Sequence, residues 1–182
     1  MLNFAYEKNI ALFIDKDGVL NEDSDDYVSS IDEIVMISKA GEALRPISQK
    51  DVPIFIISNQ SGFGLGYFSE TKAKLMFDTV IRNLEEKGVH VSDYCFCSHI
   101  PEDNCLCCKP NTALFQEAAN EHGFELSQTA FIGDNLCDYE AAKRLGIPFF
   151  LVNSGKGEKT ARILRKQNVI IKPKTLSEIS NP

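Results

Sequence analysis

An α/β fold with a mainly parallel sheet is what this sequence predicts, and three observations carry it. Short apolar runs alternate with longer amphipathic ones along the chain, the pattern of βαβ units. Three of the apolar runs end in polar or small residues, as buried strands do where a parallel sheet meets its ligand. A length of 182 residues suits one hydrophobic core, with no repeat, low-complexity tract or linker to divide it, so a single domain over 1–182 is expected.

The elements follow in order. Ile10–Ile14 is a continuous apolar run of strand length, and Lys39–Gln49 has helical periodicity. The interval between Ile14 and Pro53 holds a loop and a helix but no large lid domain. Pro53–Ser58 reads as the second strand. Glu70–Lys87 is a long helix, with Ser69 as its N-cap and Gly88 as its stop. Asp93–Cys97 is a third strand and Thr112–His122 a helix. Ala130–Ile132, Pro148–Val152 and a weaker Asn168–Ile171 complete the strands, and Asp138–Leu145 and Glu158–Lys166 the helices. Phe149 and Phe150 belong to a buried strand, while His90 and His122 are surface residues.

Composition narrows the partners. Hydrophobic content of 43% and charged content of 25% are those of a soluble globular protein. A net charge of −7 argues against nucleic acid or an anionic membrane, both of which favour a basic surface. Met1–Lys8 has no signal-like apolar core, and no run approaches the roughly 20 apolar residues of a membrane span. The expectation is a cytoplasmic monomer. Five of the six cysteines crowd into Cys95–Cys108, a density that suits metal ligation better than disulfides.

Asp15-Lys16-Asp17-Gly18 follows the first strand. Asp15 and Asp17, two apart on an extended segment, project to the same side. One carboxylate can attack phosphorus while the other protonates the leaving oxygen. Two carboxylates beside a phosphate dianion call for a divalent cation such as Mg²⁺. Gly18 allows backbone N–H groups close to an anion. Alone the motif also fits a strand-end turn, since Asp and Gly are turn residues. Ser58-Asn59-Gln60-Ser61-Gly62 ends the second strand with hydroxyl and amide donors. Gly133-Asp134-Asn135-Leu136-Cys137-Asp138 supplies Asp134 as a metal ligand and Asp138 as a helix N-cap or supporting carboxylate. Glu22–Asp26 reads as a solvated acidic loop at the entrance, and Cys137 as an ordinary small helix residue.

Between these lie Cys97, His99, Cys105 and Cys107. Each pair is two apart, and five intervening residues suffice to close a tetrahedral Cys₃His site for Zn²⁺, with Cys95 as the substitute ligand. Lys109 follows two residues later, so an ordered zinc loop would aim it at a phosphoryl group.

In this order the motifs resemble those of the haloacid dehalogenase (HAD) superfamily of phosphatases. The cysteine loop is similar to that of the branch holding D-glycero-D-manno-heptose 1,7-bisphosphate phosphatase and the histidinol-phosphate phosphatases. The resemblance spans roughly residues 8–155. It implies a capless, Rossmann-like three-layer sandwich with Mg²⁺ and a zinc-binding loop. It further implies Asp15 as nucleophile, Asp17 as general acid/base, Ser58 and Lys109 as stabilisers of the phosphoryl group, and Asp15, Asp17 and Asp134 as the Mg²⁺ site. Substrate contacts are expected from Gly18, Asn21, Asn59, Gln60 and Ser61, with Cys108 and Asn135. The substrate class is a small phosphorylated metabolite. Asn21, Tyr27-Val28, Ser61 and Gly66-Tyr67-Phe68 resemble the heptose bisphosphate branch, and the short zinc loop the histidinol-phosphate branch. Cys108 stands where both branches usually carry Arg, so another cation, Lys156 or Arg82, replaces it or the substrate is another small sugar phosphate. The opposing class is a non-catalytic, zinc-stabilised binding module on the same scaffold.

Overall fold

The computed structural model describes residues 11–24 and 27–180, so Met1–Lys8, Ile10, Asp25 and Asp26 lie outside the described residues. Five strands, β1 (Ala11–Ile14), β2 (Ile54–Asn59), β3 (Asp93–Cys97), β4 (Thr129–Gly133) and β5 (Phe149–Leu151), form one sheet in the order β3-β2-β1-β4-β5. Every pairing is parallel. The helices are α1 (Ala40–Ser48), α2 (Ser61–Gly64), α3 (Glu70–Glu85), α4 (Ala113–His122), α5 (Leu136–Leu145), α6 (Gly157–Lys166) and α7 (Leu176–Ser180).

Side-chain alternation divides β1 between two cores. Leu12 and Ile14 face one way, with Ile54, Ile56 and Ile132, and pack against residues of α1, α3 and α7. Ala11 and Phe13 face the other way, with Phe55, Ile57 and Phe131, against α4 and α5. Phe13 anchors that second core: its ring lies 4.9 Å from Phe115 and 6.0 Å from Phe55, centroid to centroid. A strand covered on both faces has no polar positions to spare, which is why β1 and β2 read as unbroken apolar runs.

Element ends follow local chemistry. Ser69 caps α3 by accepting the Lys72 N–H at 3.3 Å, and Gly88 past its end has φ +76°. Helix α5 starts earlier than expected: Asn135 is the N-cap, and Asp138 sits three residues inside, accepting the Asn135 N–H at 3.0 Å. Residues 168–171 form no strand. Asn168 turns left-handed at φ +61°, Pro173 brings no donor to a ladder, and Ile170 stays 86% exposed. Lys174 bridges Val152 instead. Helices α2 and α7 are too short for a periodic signal and were not expected.

Candidate active site

Strand order reverses at β1, which has β2 on one side and β4 on the other. In a parallel sheet the crevice opens outside the carboxyl ends at such a point. The loops there enclose a cleft of about 250 Å³, lined by Asp15, Asp17, Ser58, Gln60, Lys109 and Asp134 among others. Asn59, Ser61, Asn135 and Cys137, the last within α5, also reach its wall.

Asp15 is held by two donors on one oxygen. Its own Oδ1 accepts the Lys16 N–H and the Lys109 ammonium, each at 2.8 Å. Lys109 is buried, and its Nζ also meets Asp138 Oδ1 at 2.7 Å and the Ile57 carbonyl at 2.8 Å. Burial opposes its charge, but Asp138 and Asp15 outweigh that and hold its pKa above the ordinary lysine value. Burial first, then the Asp138 charge, pushes Asp15 well above the usual carboxylate range. Ser58 Oγ accepts from Gln60 Nε2 at 2.9 Å at the opposite wall.

Asp17 is governed by different neighbours. Lys16 and Asn21 Nδ2 (2.9 Å) both donate to its Oδ1, and Gln60 Nε2 donates to its Oδ2 at 2.7 Å. Burial would raise this carboxyl, but the Lys16 charge and these hydrogen bonds bring it below its ordinary value. With its oxygens so engaged, Asp17 stands apart from the carboxylate cluster, which is Asp15, Asp134 and Asp138. Neither Asn21 nor Gly18 is among the residues that line the cleft: Asn21 bonds Asp17, and Gly18 packs against Asp134. At Gly18, φ is +81°, and a Cβ would fall 2.3 Å from Asp134 Oδ2; at Gly155, φ +54°, a Cβ would fall 2.2 Å from the same oxygen.

The cluster of Asp15, Asp134 and Asp138 offers carboxylate oxygens all within 4.8 Å of one another. Both Asp138 oxygens are already engaged, one by Lys109 and one by the Asn135 N–H. Asp134 Oδ2 accepts the Lys156 N–H at 2.6 Å. Burial, then the Asp138 charge, raises Asp134 to about 7. Three buried carboxylates facing one ammonium leave negative charge uncompensated, which fits a divalent cation held by Asp15 and Asp134.

Cys97, His99, Cys105 and Cys107 converge. Sulfur–sulfur distances are 3.5 Å for Cys97–Cys105, 3.1 Å for Cys97–Cys107 and 3.4 Å for Cys105–Cys107, and His99 Nδ1 lies 3.2 Å from Cys107 Sγ. Ligands about 2.3 Å from a tetrahedral Zn²⁺ stand somewhat under 4 Å apart. All six cysteines are unbridged, and Cys95 stays outside the cluster. Cys108 also leaves the cleft. Its N–H donates to Cys105 Sγ at 3.3 Å and its thiol lies 3.7 Å from the Lys109 carbonyl. Asn59 clamps the next residue from both sides, accepting the Lys109 N–H at 2.8 Å and donating to its carbonyl at 3.0 Å.

Two expected cations part company. Lys156 lines the cleft and its ammonium meets Asp23 at 2.6 Å, whereas Arg82 lies on the exposed face of α3. His90 is exposed; His122, also exposed, bonds Asp93 at 2.8 Å. Phe149 and Phe150 are half-buried. Sequence reasoning missed Lys16, whose burial beside Asp17 only the fold reveals, and Gly155, which carries no motif of its own.

Comparison with known proteins agrees with this geometry. A family model described as HAD-hydrolase-like matches residues 106–175. The chain is 35% identical over 149 residues to the D-glycero-beta-D-manno-heptose-1,7-bisphosphate 7-phosphatase of Pseudomonas aeruginosa, covering 82% of this chain and 84% of that one. It is 36% identical to a probable D-glycero-D-manno-heptose-1,7-bisphosphate 7-phosphatase of Thermoplasma volcanium, covering 78% and 97%. The crystal structure of D,D-heptose 1,7-bisphosphate phosphatase from B. bronchiseptica, complexed with magnesium and phosphate, superposes with a TM-score of 0.84 at 29% identity, over 94% of this chain and 96% of that one.

Proposed function

The chain belongs to the heptose 1,7-bisphosphate phosphatase family of HAD phosphoric monoester hydrolases, and from that premise we propose that it removes the 7-phosphate of D-glycero-D-manno-heptose 1,7-bisphosphate through an aspartyl phosphate on Asp15. The observation that supports this most is the seating of Asp15: one oxygen is fixed by Lys109 and a backbone N–H, so the other is left for phosphorus. Lys109, held between Asp15 and Asp138, keeps positive charge beside the phosphoryl oxygens as it transfers. The negative charge of a bound phosphate would raise the Asp17 carboxyl that Lys16 otherwise lowers, so that Asp17 hands a proton to the leaving alkoxide, then takes one from the water that attacks the aspartyl phosphate. The hydroxyl of Ser58 and the amide of Asn135 offer uncharged donors along the cleft, while Gln60 spends its two N–H groups on Asp17 and Ser58. Magnesium bound by Asp15 and Asp134 would neutralise the phosphate charge that those carboxylates otherwise repel. Zinc in the Cys97–His99–Cys105–Cys107 cluster would be structural, because all four ligands come from the protein.

A second reading, a phosphatase of a less anionic sugar phosphate, is favoured by the rim. Lys156 is the exposed ammonium among the lining residues, and Asp23 already faces it. Phosphate release from heptose 1,7-bisphosphate, fructose 1,6-bisphosphate, histidinol phosphate and a sugar monophosphate such as glucose 6-phosphate, compared by kcat/KM with Mg²⁺ present, separates the readings. The heptose bisphosphate is expected to lead. A preference for any competitor overturns the substrate, and turnover surviving in Asp15→Asn overturns the covalent route.

A further inference from the structure

Lys16 lies between the two carboxylates of the first motif, yet its side chain is 1% exposed. Burying an ammonium costs several kcal/mol unless it is paired, so packing alone would favour an apolar residue there. Its surroundings are specific. Nζ pairs with Asp17 Oδ1, lies 3.4 Å from Asn21 Oδ1, and stands 5.6 Å above the centroid of the Phe77 ring. Asn21 completes the ring of contacts, donating from Nδ2 to Asp17 Oδ1 and to the Glu22 carbonyl at 2.8 Å.

We infer that Lys16 is a positioning residue that locks the Asp17 carboxyl in one orientation, so that Oδ2 is the atom that carries the catalytic proton. A carboxylate oxygen has two lone pairs in its plane. Oδ1 spends both on Lys16 and Asn21, whereas Oδ2 meets one donor among the described residues, Gln60. As the Asp15 oxygen bonds to phosphorus and the P–O bond to the leaving group breaks, the proton passes from Oδ2 to the departing oxygen. The O–H electron pair stays on a carboxylate that Lys16 keeps in place. In the second half-reaction Oδ2 takes a proton from water while water oxygen bonds phosphorus and the bond to Asp15 breaks. The Lys16 side chain is buried and is not among the residues that line the cleft. The inference rests on the reading of Asp17 as the acid/base.

Leaving-group dependence tests it, since p-nitrophenolate departs without a proton and an alkoxide does not. In Lys16→Met, kcat/KM for the heptose bisphosphate is expected to fall about 10²-fold, and for p-nitrophenyl phosphate by no more than about threefold. Lys16→Arg, which keeps the charge, is expected to restore most of the wild-type ratio between the two substrates. Lys16→Gln replaces Lys16→Met if the latter fails to fold. Equal losses on both substrates mean a purely structural lysine and overturn the inference, as does failure of both neutral variants to fold. Asp17→Asn is the reference: selective loss there without selective loss at Lys16 defeats only the positioning role. No selectivity in either defeats the acid/base reading of Asp17 beneath it.

Discussion

Asp15, Asp134 and Asp138 share a buried space with a single ammonium, and that imbalance sets how the site responds to pH. Asp134, at about 7 against an ordinary 3.8, and Asp15, shifted the same way, are raised by folding. A carboxyl so raised supports the fold fully below its ordinary value and loses that support as pH climbs toward the folded value. Without metal, the strain at this site therefore grows between pH 3.8 and about 7. Asp17, lowered by Lys16 once burial is outweighed, runs the other way and loses its contribution on acidification. A divalent cation relieves only the first effect. The rise in Tm on adding Mg²⁺ is thus expected to be larger at about pH 8 than at about pH 5, read by thermal melts at both. A pH-independent Mg²⁺ effect would refute a cation on these carboxylates. Lys109→Met is the complementary change. It strands Asp138, which is 0% exposed, and should cost about 3–5 kcal/mol in denaturant melts as well as activity.

At the scale of elements, the catalytic loops are held by backbone fit and by the cysteine cluster. Gly18→Ala meets both a positive φ and the Asp134 carboxylate at 2.3 Å, so it should lower stability and weaken activation by Mg²⁺ together. Gly123 closes α4 at φ +72° with nothing within 4 Å of a Cβ. Gly123→Ala should therefore cost only the left-handed strain, about 1–2 kcal/mol, and leave kcat unchanged. Steady-state kinetics beside melts tells the two apart. The loop from Cys97 to Lys109 joins the cluster to the carboxylate cleft, since Asn59 grips Lys109 and the Cys108 N–H bonds Cys105. Cys105→Ser with Cys107→Ser should abolish bound zinc by elemental analysis and lower kcat. Full turnover in a folded, zinc-free variant would show that the two sites are independent.

Across the whole molecule, two cores pin β1 beneath the cleft. Phe115 touches Phe13 at 4.9 Å and Phe131 at 5.0 Å, so it ties α4 to the two strands that deliver Asp15 and Asp134. Phe115→Ala is expected to cost about 3–5 kcal/mol by urea unfolding. Every described strand pair is parallel, which the alternation of apolar and amphipathic runs already required. The run at 168–171 misled because apolar content is not enough: a strand also needs a neighbour with spare backbone groups. Among the described residues no helix is long and apolar enough to cross a membrane.

Local spacing was enough to mark Asp15 and Asp17 as a cleft-facing pair, the four zinc-type ligands, and Lys109 as their neighbour, because extended backbone sends alternate residues to one side. The sequence also determined the order of the elements, through periods that differ between strand and helix. Tertiary structure decided which oxygen each donor occupies. It turned Lys16 inward to Asp17, bonded Asn21 to the same carboxylate, set the Cys108 N–H on the cysteine cluster, and set Asn59 on the Lys109 backbone. Those outcomes depend on contacts that reach 50 positions from Asn59 to Lys109 and 94 from Asp15 to Lys109, whose geometry exists only once the sheet has brought its strand ends together.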